Sequence, residues 1–135
     1  MKLYIASSFK NLHAVHMLRD HLRGRGHGVL DWSALAPPLP EDMPLNTRRA
    51  LLDSDARGEI FDFCRQACRQ ADAVIYLGPA GQDAAAEVGI AFASGVKVLG
   101  LAGPLEAPGL ILSRCVNLWF ATAGDLLAHL SQGEK

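Results

Sequence analysis

The chain has 135 residues, 50% of them hydrophobic and 20% charged, with a formal net charge of −1. That balance is that of an ordinary globular domain rather than a disordered chain, and it leaves no electrostatic footprint for a nucleic-acid polymer or an anionic membrane. No apolar run approaches the roughly 18 residues of a membrane span, and the opening MKLYIASS is too brief for the core of a signal peptide.

In chain order, Leu3 to Ala6 is a short apolar run broken by Ser7 and Ser8, and it is expected to be the first strand. Leu12, Val15, Leu18 and Leu22 then recur at helical spacing, with His16, Arg19 and Arg23 on the wet side. GRGHG, Gly24 to Gly28, should end that helix, because glycine takes the left-handed conformation at little cost. Val29 to Trp32 is the second strand candidate. ALAPPLPEDMPLN follows, with four prolines between Pro37 and Pro44, and is expected to be a loop or lid.

A helical region from about Thr47 to Ala71 comes next, with Ile60, Cys64, Ala67, Cys68 and Ala71 as its apolar stripe and Gly58 as its expected break. Ala73 to Leu77 is a continuous apolar run of the buried parallel kind, and Asp72 is its polar start. A helix beginning near Asp83, a strand at Val96 to Leu101 and another at Val116 to Phe120 complete the alternation. Thr122 with Asp125 resembles a capping box for a last helix that turns Leu126, Leu127 and Leu130 inward.

This alternation predicts a single α/β domain over residues 1–135, a flavodoxin-like, Rossmann-like three-layer sandwich. Its five parallel strands would lie in the order 2-1-3-4-5. In such a sheet a ligand binds outside the carboxyl ends of the strands where the winding reverses, here between the first and third. Ser7, Ser8, Phe9 and Lys10 would be presented there, together with the segment from Gly78 to Glu87.

That segment carries the clearest chemical signal. Glu87 is an acid in a helix whose other residues, from Ala84 to Ala93, are almost all apolar. Gly89 costs helix stability, roughly 1 kcal/mol against Ala. It is expected where the helix packs hard on a strand or a ligand comes close. The short-chained loop GPAGQ, including Gly81, lets a ligand approach the backbone, and Asp83 is expected to cap the helix.

These residues resemble the nucleoside 2-deoxyribosyltransferase-like family. The matching features are LYIASSF (Leu3 to Phe9), GHGVLDW (Gly26 to Trp32), and the Ala71–Asp72 pair before AVIYL. The most specific is AEVGIAFASGVKV, in which Glu87, Val88, Gly89, Ile90 and Ala91 follow the glutamate-hydrophobic-glycine-x-alanine pattern. The resemblance implies N-glycosidic chemistry on a nucleoside or nucleotide. Glu87 would be the nucleophile and Tyr4 its neighbour, with Ser7, Ser8 and Lys10 on the substrate and Lys10 facing a 5′-phosphate. Gly81 and Asp83 would line the substrate; Trp32, by its place at the end of the second strand, is either a stacking surface for a base or a half-buried core residue. Many members carry an aspartate eight residues before the one corresponding to Asp72, used to hold the sugar, where this chain has Cys64. They also carry one six before the glutamate, where Gly81 stands.

The resemblance further implies a homodimer or larger homo-oligomer. No cofactor is expected, and no metal, because His13, His16 and His21 share no tight ligand face. Three cysteines without a CxxC spacing point to free thiols and a cytoplasmic setting. The alternative function is a nucleotide-binding sensor or regulatory module that kept the pocket and lost the sugar-holding acid. A flavin carrier lacks support in the first loop, which has no phosphate cradle, and an NAD glycohydrolase would be a variant of the enzymatic reading.

Overall fold

A computed structural model describes residues 1–35 and 37–132; Ala36 of the proline-rich loop lies outside the described residues. Strands β1 (Lys2–Ala6), β2 (Gly28–Leu30), β3 (Ala73–Leu77), β4 (Lys97–Leu101) and β5 (Leu118–Phe120) form one parallel sheet in the order β2-β1-β3-β4-β5. β3 is central and its five residues are all buried, as a strand covered on both faces requires. Its start is registered against β1 by Asp72, whose carboxylate accepts from the Lys2 N–H at 2.6 Å while its own N–H donates to Lys2 O at 2.8 Å.

Helices cover both faces. α1 (Leu12–Gly24) buries Val15, Leu18 and Leu22, and its end is tied to α6 (Ala123–Gln132) by Arg25, which donates to Ser131 Oγ at 2.9 Å. The opposite face carries α3 (Asp55–Gln70), α4 (Gln82–Ala93) and α5 (Leu110–Cys115) side by side. Gly26 takes φ +91° in the turn after α1, the conformation expected of it. Thr122 Oγ1 accepts from Asp125 N–H at 3.1 Å, so the cap of α6 also forms as read.

The structure corrects several local expectations. The helical region after the proline loop is two helices, α2 (Leu45–Leu52) and α3, and the break falls at Asp53–Ser54 rather than at Gly58. Ser54 accepts from Arg57 N–H and starts α3 as its N-cap, whereas Gly58 lies inside the helix. β2 ends at Leu30, because the Asp31 side chain accepts from Ser33 N–H and turns the chain into a short 3-10 turn, Trp32–Ala34. β5 is shorter than expected because α5 precedes it.

The expectation that Gly89 lets its helix pack hard on a strand is also corrected. A Cβ on Gly89 would meet nothing within 4 Å, so close helix–sheet packing does not explain it. A Cβ would be crowded at Gly78, against the Glu106 carboxylate, at Gly103, against Pro79, and at Gly100 of β4, where it would come within 2.6 Å of the Trp119 ring and 2.7 Å of Val116 Cγ1.

Candidate active site

The carboxyl ends of β1 and β3 meet the first turns of α4 at the point where the winding reverses. Tyr4, fully buried in β1, donates its hydroxyl hydrogen bond to Glu87 Oε2. Glu87 is the sixth residue of α4, and its neighbours in the helix are small, so the carboxylate reaches the sheet unobstructed. The Cys64 thiol on α3 lies close enough to the Tyr4 hydroxyl and the Glu87 carboxylate to act on the ionisation of both. An acid, a phenol and a thiol from three elements therefore form one cluster.

Burial sets its electrostatics. Desolvation pushes the Glu87 carboxyl up to about 7, and the nearby Asp83 carboxylate pushes the same way, while hydrogen bonds from Tyr4 and Cys64 pull it down. Desolvation also raises the Tyr4 phenol far above its usual range and the Cys64 thiol to about 11, with the Glu87 charge adding to both. Cys68, one turn further along α3, is raised for the same reasons. Near neutral pH the cluster thus holds one ionisable carboxyl among neutral donors. A carboxylate so poorly hydrated is suited to stabilising a nearby cationic centre or bonding to it.

The other candidate residues are placed differently. Ser7 is buried and donates to Leu77 O at 2.6 Å, so its hydroxyl joins β1 to β3 rather than facing a ligand. Ser8 caps the turn Phe9–Asn11 by accepting from Lys10 N–H at 3.1 Å. Lys10 is exposed, with Nζ 3.4 Å from Glu41 of the proline-rich loop, which brings that loop over the end of β1. Trp32 is a core residue: its ring packs edge-on to Phe9 and its indole N–H donates to Ile5 O at 2.6 Å, leaving it only 9% exposed. Little of its face is free to stack on a base.

Asp83 does not cap α4. The N-cap is Gly81, without any side-chain cap, and Asp83 sits exposed in the first turn, where it faces the positive helix end and acts on Glu87.

Sequence reading missed two residues beside the site. Asn11 donates through Nδ2 to Pro79 O, across the crevice. Glu106, in the loop after β4, accepts from the Tyr76 hydroxyl and from Gly103 N–H (3.0 Å), flanking Gly78 from the other side. A lone acid in the apolar stretch AGPLEAPG was the available signal for Glu106. Among the described residues no group of three or more His, Cys, Asp or Glu side chains is arranged to hold a metal ion. Of two surface hollows of about 360 and 340 Å³, one is remote, lined by Phe92, Val96 and Asn117, and the other adjoins the site on its Glu106 side, lined by Pro79, Leu105 and Glu106. Glu87 lines neither.

No family model matches the sequence, and no curated protein matches it. Solved structures do. A 2-deoxyribosyltransferase from Bacillus psychrosaccharolyticus superimposes with a TM-score of 0.72 at 21% identity, covering 93% of this chain and 90% of that one. The CMP N-glycosidase of Clostridium botulinum gives 0.62 at 16% identity, covering 97% and 99%. A conserved protein of Enterococcus faecalis V583 gives 0.64 at 18% identity, covering 98% of each chain. The chain has a nucleoside 2-deoxyribosyltransferase-like fold.

Proposed function

We propose that this chain, built on a fold also used by enzymes that act on nucleosides and nucleotides, cleaves or transfers an N-glycosidic bond, with Glu87 as nucleophile and Tyr4 as the hydroxyl that orients it. The observation that carries this reading is the Tyr4–Glu87 hydrogen bond, part-buried at the switch point of the sheet. A carboxylate oxygen of Glu87 would bond to the anomeric carbon as the carbon–nitrogen bond breaks. The base leaves with that electron pair and is protonated by solvent. Water or a second base then displaces the glycosyl ester and returns the carboxylate. Both transition states are oxocarbenium-like, and an unscreened carboxylate close by stabilises the positive charge.

In this reading Ser8, Lys10, Gly81 and Asp83 border the substrate, and Lys10 would exchange Glu41 for a 5′-phosphate. Ser7 contributes through its hold on β3. Exposed Leu105, Leu110 and Ile111, clustered on the loop after β4 and on α5, support self-association, since so apolar a stretch is uncommon on a lone monomer. Three free thiols support a reducing, cytoplasmic setting.

The test is base release, by chromatography, from deoxy- and ribonucleosides, their 5′-monophosphates and NAD, comparing wild type with Glu87→Ala. Release by the wild type alone supports the reading, and release that survives the substitution sinks Glu87 as nucleophile. A binding module is the second reading, favoured by the Cys64 thiol on the wall that faces Glu87. Nucleotide binding by calorimetry with no base released would select it.

A further inference from the structure

We infer that Asn11 is a positioning residue: its side-chain amide ties the loop after β1 to the loop that begins α4, and so fixes the crevice in which Glu87 stands. Asn11 occupies the N-cap of α1, where asparagine is among the strongest capping residues, yet its side chain makes no cap hydrogen bond. Its Nδ2 is turned away from the helix to donate to Pro79 O, 68 positions further along the chain, and lies 3.5 Å from Ser7 Oγ. Ser8 caps the 3-10 turn Phe9–Asn11 that runs directly into α1, so the Asn11 side chain is not engaged in its helix and its amide is available to the contact across the crevice.

The contact acts at a sensitive place. Pro79 O lies outside both β3 and α4, at an exposed position where no backbone ladder holds it. Ser7 Oγ binds Leu77 O at 2.6 Å, so the two side chains hold the carbonyls on either side of Gly78. Gly103 packs against Pro79 on the far flank, and Glu106 ties down Tyr76. α4 starts three residues beyond Pro79 at a glycine cap that has no side chain to fix it. The clamped loop therefore sets where the first turns of α4 lie, and Glu87 with them.

Asn11→Asp separates positioning from capping. Aspartate is isosteric and caps a helix as well as asparagine does, but its carboxylate cannot donate to Pro79 O. Hydrogen exchange over residues 78–86, thermal unfolding and base-release kinetics would be measured on wild type, Asn11→Asp and Asn11→Ala. In Asn11→Asp, exchange over 78–86 should quicken about tenfold with the unfolding midpoint unchanged, and kcat should fall about tenfold or more with KM nearly constant, since small misplacements of reacting groups are costly. Wild-type exchange in Asn11→Asp, or faster exchange with undiminished kcat, overturns the inference.

The kinetic arm rests on the proposed reaction; the others do not. If the wild type releases no base, that reaction fails by itself, and the carboxyl titration of Glu87, followed by NMR in the uncharged Asn11→Ala variant, decides Asn11. The groups facing Glu87 are Tyr4 from β1, Cys64 and Cys68 from α3, and Asp83 from α4. A loosened Tyr4 contact moves the titration upward, and an unmoved titration with wild-type exchange refutes the clamp.

Discussion

The hydroxyl of Tyr4 donates to the carboxylate of Glu87, joining two residues 83 positions apart in the chain. The bond favours the ionised carboxylate against the burial that opposes it, and the balance leaves the carboxyl near 7. A nucleophile must be ionised, so kcat/KM should rise with pH through about 7 and level off above it. Tyr4→Phe removes the stabilising donor and should move that limb to higher pH, lowering the rate at pH 7 by about tenfold. A pH–rate profile of both proteins checks this; a wild-type limb near 4 would mean a well-solvated, ordinary carboxylate.

Glu87 should also be a stability liability. Its folded-state value, about 7, lies above the unfolded value near 4.5, so the folded protein holds this proton more tightly. The resulting stabilisation is complete below about pH 4.5 and is lost as pH rises through 7. Glu87→Gln, neutral at every pH, should therefore be more stable than wild type by on the order of 2–3 kcal/mol at pH 8, with little difference at pH 4. Denaturant unfolding at the two pH values reads the difference directly, and equal gains at both would contradict it.

Gly100 and Gly89 should respond to alanine in opposite directions. At Gly100 a Cβ runs into Trp119 and Val116, so Gly100→Ala should cost about 1–3 kcal/mol as overpacking. At Gly89 the space is open and the helix gains a better former, so Gly89→Ala should stabilise by about 0.5–1 kcal/mol. Thermal melts of the two variants are the check.

Ile111 is 75% exposed and Leu110 70% exposed on α5. If this stretch joins copies of the chain, Ile111→Asp should lower the mass found by light scattering to that of a monomer while circular dichroism stays unchanged. A wild-type protein already monomeric at tens of micromolar would remove self-association from the proposal.

Much of the architecture could be read from the sequence, because the signals were local and periodic. The unbroken apolar run Ala73–Leu77 is of the kind that forms a strand covered on both faces, and Val15, Leu18 and Leu22 recur at the spacing of one helical stripe. From such elements the order 2-1-3-4-5 follows by the handedness of parallel crossovers, which is why the switch point could be located before any coordinates.

Local chemistry misled where two residues could do the same work. Ser54 and Gly58 were both able to divide the helical region, and the hydroxyl that accepts from Arg57 N–H decided it. Gly81 rather than Asp83 caps α4, because the path of the loop from Pro79 settles where the helix begins. Trp32 could have faced a ligand, but the turn made by Asp31 drives it under Phe9.

The sequence by itself determined the elements, the winding of the sheet and the prominence of an acid in an apolar helix, since each depends on residues a few positions apart. The resemblance put Tyr4 beside that acid, but only the tertiary structure decided the hydrogen bond between them, that a Cβ is crowded at Gly100 and not at Gly89, and that the Asn11 side chain reaches across to Pro79. Those are contacts between residues separated by 16 to 83 positions. Their chemistry depends on burial and on side-chain direction, and both exist only once the layers have closed.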